Sequence, residues 1–121
     1  MTNDYLTGLM GELRNYIREL EEAKGYAIAN SGRYGLGVDF FNRPAEIPGD
    51  IDWVSVRCEG DEVTDYSGWF SRLAGKDPEF KGLRHSLMAR KSAVQGYIDK
   101  IMLEGTSEER ELVQGIDLAD I

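Results

Sequence analysis

The chain has 121 residues, 41% of them hydrophobic and 30% charged, and a net charge of −8. That length predicts a single domain, 1–121, able to bury roughly two-thirds of its unfolded surface, and the mixture excludes a disordered or membrane-spanning chain. A lone cysteine, Cys58, excludes an internal disulfide, and a start without basic residues or a cleavage pattern reads as no signal peptide, so a cytoplasmic protein is expected.

The charge is unevenly placed. Residues 44–67 carry seven acidic groups and one basic, and residues 104–121 carry six acidic and one basic. Residues 72–100 reverse the balance, with seven basic groups and three acidic. The acidic blocks repel nucleic acid at long range, so direct nucleic-acid binding is not expected. They attract a basic partner, pair with the chain's own basic segment, or serve solubility alone.

Residues 3–30 read as one long helix. Leu6, Leu9, Leu13, Tyr16, Leu20, Ala23 and Ala27 recur at alternating spacings of three and four, and Met10 and Ile17 widen this stripe on one side. Thr2, Asn3 or Asp4 can cap its start. Asn30 and Gly32 suit its end. At 1.5 Å per residue the helix is about 42 Å long, against a radius of gyration of about 14 Å for a compact domain of this size. The helix therefore spans the molecule or projects from it, and its seam packs on the chain's own sheet or on a partner helix.

A β-rich middle follows over 36–66. Leu36–Phe41 is a short strand, and Arg43–Asp50 a loop broken by Pro44 and Pro48. Ile51–Cys58 alternates, with Val54, Val56 and Cys58 on one face and Trp53, Ser55 and Arg57 on the other. "EGDE" turns the chain, and "VTDY" returns antiparallel as a hairpin that must pack on a helix.

Residues 67–115 are helical. Ser67 can cap a short helix ended by Gly75, with Trp69, Phe70 and Leu73 on its apolar face. Asp77 and Pro78 then form an N-cap and first helical position for a second long helix over 78–104. The small residues Ser86, Ala89, Ala93 and Gly96 offer another helix a close approach. Gly105 ends this element. Thr106 and Glu109 have capping-box spacing, so a last short helix runs to about Gln114. An acidic tail, 116–121, is frayed or docked as an edge strand. The fold class is α+β: two long amphipathic helices packed with a small antiparallel hairpin or sheet, and a short C-terminal helix.

The stretch "GRYGLG" raises the question of a phosphate loop. Its order is G-x-x-G-x-G, after a helix and before a strand, whereas a dinucleotide fingerprint runs G-x-G-x-x-G from strand to helix. The glycines read instead as conformational: Gly32 ends the helix, while Gly35 and Gly37 permit a sharp entry into the strand. His85 has no nucleophile or orienting acid marked beside it, and Cys58 alternates onto the apolar face. Neither a cofactor nor a metal site is expected, since "EGDEVTD" lacks the order of a calcium loop.

These residues point to a small non-enzymatic protein-interaction protein, self-associating or binding a protein partner. Its expected contacts are Leu13, Tyr16 and Leu20 on the helix seam, Tyr34, Phe40 and Trp53 among the aromatics, and Asp61 and Glu62 on the hairpin turn. Aromatic residues are enriched at interfaces, although each can equally cover the flank of a helix. An alternative is an acidic inhibitor that occupies a nucleic-acid-binding protein, as phage counter-defence or anti-CRISPR-like proteins do. A third reading is a small enzyme using His85.

Overall fold

A computed structural model describes residues 3–40 and 49–121. In chain order the elements are α1 (Asn3–Asn30), a 3-10 turn (Ser31–Tyr34), β1 (Leu36–Asp39), β2 (Asp52–Ser55), β3 (Arg57–Glu59), β4 (Glu62–Asp65), α2 (Ser67–Lys76), α3 (Pro78–Glu104) and α4 (Ser107–Gln114). The α+β class follows directly. The expected strand residue Phe41 and most of the expected loop lie outside the described residues; Gly49 and Asp50 form a turn.

The chain divides into two compact units, Met1–Glu21 with Ser86–Leu118, and Glu22–His85 with Ala119–Ile121. Both long helices contribute to each unit.

The first unit is helical. Contacts between α1 and α3 descend in α3 number as α1 number rises, which makes the two antiparallel. The Lys100 ammonium lies 5.3 Å from the Tyr5 ring centre, and a Cβ added at Gly8 would come within 2.6 Å of the Tyr97 ring. Arg90 then bridges Glu12 and Glu19, each at 3.5 Å, and Ser86 Oγ donates to Glu19 Oε1 at 3.1 Å. The close approach thus occurs at Gly8. Gly96, expected to admit a helix, has open space where its Cβ would be. Leu9 and Tyr16 of α1, Leu87, Val94 and Ile101 of α3, and Val113 of α4 are buried.

Local chemistry sets the ends of α3 and α4. Asp77 Oδ1 accepts from the backbone N–H groups of Glu79 and Phe80 at 3.0 and 3.2 Å, and Pro78 takes the first position, where no N–H is needed. The full capping box forms at α4: Glu109 N donates to Thr106 Oγ1, and Thr106 N donates to Glu109 Oε1.

The second unit holds the strands. β1 and β2 pair in parallel, Leu36 opposite Asp52 through Asp39 opposite Ser55, and β3 and β4 pair antiparallel. The parallel pair departs from the expected antiparallel sheet. The strand expected over Ile51–Cys58 divides at Val56, whose N–H donates to Asp39 O at 2.8 Å, and a register shift follows between Arg57 and Cys58. Its first half therefore belongs with β1 and its second with β4. Side-chain alternation is the same in both directions, so alternation could not reveal this. The tail is docked: Asp120 makes a parallel bridge to Asp65 at the edge of β4.

α1 ends at Asn30, as expected, but Gly32 does not close it; its last carbonyls are met by side chains: Asn30 Nδ2 donates to Tyr26 O, and Ser31 Oγ donates to Ala27 O. The left-handed residue is Gly35, at φ 71°, after the 3-10 turn. Gly37 answers the other half of the glycine question, because a Cβ there would lie 2.9 Å from the Trp53 ring. At α2, Ser67 is the first helical residue rather than the cap; the N-cap position is Tyr66, and Asp65 Oδ1 accepts from Ser67 N and Oγ at 2.9 and 2.6 Å. The helix runs past Gly75 to Lys76 because the backbone continues to be paired, Asp77 N donating to Leu73 O.

An aromatic core fills the second unit. Phe70 stacks on Tyr66 and meets Phe80 edge-on, with ring centres 5.0 and 5.1 Å apart. Trp69 Nε1 donates to Ser31 Oγ at 2.8 Å, which ties α2 to the end of α1.

Candidate interaction site

The expected contact residues are scattered in depth. Tyr16 is buried at 4% exposure, so its contacts are inside the chain and a partner reaches it only if the unit opens. Leu13 and Leu20 are half-buried. Phe40 packs edge-on against Trp69, and Trp53 covers Gly37, so both aromatics serve the second unit's own packing. Tyr34 is half-buried and bonded to Asp77. Asp61 and Glu62 are exposed on the hairpin turn, as is Glu59.

The face of α1 that remains open lies beside the buried seam. At about 100° per residue, Leu6, Met10, Leu13, Ile17 and Leu20 fall within an arc of about 80°. Met10 is 47% exposed and Ile17 52%, while Leu6, Leu13 and Leu20 are half-buried. All five belong to the first unit. Antiparallel α3 covers the other flank of α1, at Gly8, Glu12 and Glu19, which leaves this arc facing away from those contacts. Other large apolar side chains of that unit are also exposed: Met88, Met102 and Leu103 on α3, and Leu112 on α4. The widening of the stripe by Met10 and Ile17 was the available signal in sequence; nothing there separated the covered half of the stripe from the open half.

A second cluster joins residues far apart in the chain. The Tyr26 hydroxyl donates to Asp77 Oδ2 at 2.7 Å and lies 3.1 Å from Glu79 Oε2. The bond to Asp77, then burial, then Glu79, raise the Tyr26 phenol well above its usual value. The Tyr34 phenol is raised in the same way, first by Asp77. Burial pushes the Asp77 carboxyl up, but the hydrogen bonds from Tyr26, the backbone of Phe80, Tyr34 and the backbone of Glu79 outweigh it, and the net shift is downward. Asp77 is 3% exposed and its oxygens are engaged by these donors, so the cluster is a helix cap reinforced by phenols.

His85 is exposed on α3. Cys58 is half-buried, and its Sγ donates to Phe40 O at 3.2 Å. Among the described residues, no group of three or more His, Cys, Asp or Glu could hold a metal ion, and no helix is long and apolar enough to cross a membrane. In comparisons with protein families, curated proteins and solved structures, nothing matches this chain.

Proposed function

We propose that this chain is a non-enzymatic protein-interaction module that meets a protein partner or a second copy of itself through the open apolar face of α1. One observation carries the reading: Met10 and Ile17, two turns apart on one side of a long helix, are each about half exposed. An apolar stripe left open along a helix is a common docking surface for another helix. Full burial of such a side chain is worth about 1.5–3 kcal/mol, so covering the exposed half of each contributes about 1 kcal/mol. Met10→Glu with Ile17→Glu therefore weakens association by about thirty-fold or more. The test recovers tagged chain and double variant from native lysate and measures native mass by light scattering. The reading expects a multimer or stoichiometric protein complex that the double variant loses while keeping its helical circular dichroism. Equal association by both would overturn it.

The acidic inhibitor is a second reading, favoured by the exposed carboxylates Glu59, Asp61 and Glu62 at the β3–β4 turn. It predicts capture of a nucleic-acid-binding protein at low salt, lost in Asp61→Asn with Glu62→Gln and retained in the α1 double variant.

A further inference from the structure

The tail of the chain is held at the edge of β4 by groups drawn from distant parts of the sequence. Asp120 N donates to Thr64 O at 2.9 Å, and Tyr66 N donates to Asp120 O at 2.7 Å, so the tail makes one parallel bridge at the hairpin's edge. Arg84 closes a fork on the backbone oxygen of Ile121, its Nε at 3.0 Å and Nη2 at 2.8 Å. Ile121 is 7% exposed. Arg57 lies 3.8 Å from the Asp120 carboxylate, both largely in solvent. Together these groups make a slot with three requirements. They are an extended backbone to pair with Thr64 and Tyr66, an aliphatic side chain to bury, and a backbone oxygen for the Arg84 fork.

We propose that this slot also accepts the tail of a second copy, so that two copies join by exchanging residues Ala119–Ile121. Strand addition at a free edge is a general mode of recognition, and exchange of an identical element needs no new interface chemistry. The occupant whose fit the structure displays is this tail itself. Charge pairs at one position: Asp120, the one acidic residue of Ala119–Ile121, lies 3.8 Å from Arg57. Between the end of α4 and the bridge at Asp120, residues 115–119 form no helix or strand, so the tail can leave without unwinding an element. Within one chain the tether gives its own tail a high effective concentration, so exchange grows with protein concentration. It uses none of the residues of the α1 face.

Two variants test this, each with one cysteine: Arg57→Cys and Asp120→Cys, both carrying Cys58→Ser. Positions 57 and 120 have side chains 71% and 61% exposed, and the bridge between them contributes little stability. Mixed at high concentration and treated with a short bismaleimide, they should yield a cross-linked dimer well above the yield of either variant alone. Tenfold dilution before cross-linking should cut that yield several-fold, because exchange competes with each chain's own tethered tail. No excess of mixed dimer, or a yield indifferent to dilution, overturns the exchange. Light scattering of the unaltered chain gives a second readout: a dimer fraction that rises with concentration and persists in Met10→Glu with Ile17→Glu supports it. A monomer at every concentration overturns it, and so does a dimer that the α1 variant abolishes. Failure of the α1 reading alone leaves the cross-link intact.

Discussion

Replacing Ser31 with alanine tests how the second unit is held together. Ser31 is 4% exposed and Trp69 1%; the serine hydroxyl accepts from the indole N–H at 2.8 Å and donates to Ala27 O at 2.6 Å. Alanine removes a neutral hydrogen bond, worth about 1 kcal/mol net, and strands a buried indole donor, which costs about 1–3 kcal/mol. These figures overlap, since the second already contains the lost bond, so about 2 kcal/mol is expected. For a chain of this length that corresponds to a fall of about 8 °C in Tm. Urea unfolding followed by far-ultraviolet circular dichroism avoids the loss of a tryptophan signal in the companion variant Trp69→Phe. With the indole donor gone, Ser31→Ala should cost under about 1 kcal/mol, because only the bond to Ala27 O is then removed. The coupling between the two positions is therefore about 1 kcal/mol or more. A single-variant cost below about 0.5 kcal/mol, or the same cost in both backgrounds, would refute the account of Trp69 anchored on the end of α1.

Two further outcomes follow from caps and phenols. Thr106→Ala should destabilise by about 1 kcal/mol and speed hydrogen exchange at the start of α4, because Glu109 N loses its acceptor. Unchanged exchange there would show that the capping box is not what holds the helix end. The Asp65 carboxyl is lowered first by the Ser67 hydroxyl and then by the Ser67 backbone, and Asp77 is lowered as described. Both bind protons less readily folded than unfolded, so the stability they confer is complete above their ordinary range and drains as pH falls through the lower folded values. Tyr26 and Tyr34 are raised, so their contribution is complete below their ordinary value of 10.0 and is lost as pH rises through the folded values. Just above that value, the folded chain should show less tyrosinate absorbance than the urea-unfolded chain, and Tyr26→Phe should narrow the gap. Equal absorbance would remove the phenol cap from the description.

The candidate site was partly legible. Met10 and Ile17 could be seen to flank the main stripe, because helical periodicity orders side chains around the axis. Periodicity does not say which part of a broad stripe a neighbour covers. Here α3 approaches at Gly8, Glu12 and Glu19, so Tyr16 is drawn inward while Ile17, its immediate neighbour in sequence, is left outside. The aromatic contacts diverged for a related reason. Trp53 alternates onto the polar side of its strand, but a glycine at position 37 opens room for its ring, and Phe40 finds the edge of Trp69. The slot at β4 joins Thr64, Arg84 and Ile121, and no local pattern connects residues so far apart.

By itself, the sequence determined what depends on neighbours within about one helical turn. The span of α1, the start of α3 at Asp77 and Pro78, the capping box at Thr106 and the hairpin around Gly60 all rest on local backbone needs met by local side chains. Only the tertiary structure decided what depends on contacts between distant segments. Such contacts set the parallel pairing of β1 with β2 and the docking of the tail. They also join Tyr26 to Asp77 across 51 positions and leave one side of α1 open. Hydrogen-bond direction, burial and charge pairing there are properties of two surfaces together, and a pattern read along one segment specifies only one of them.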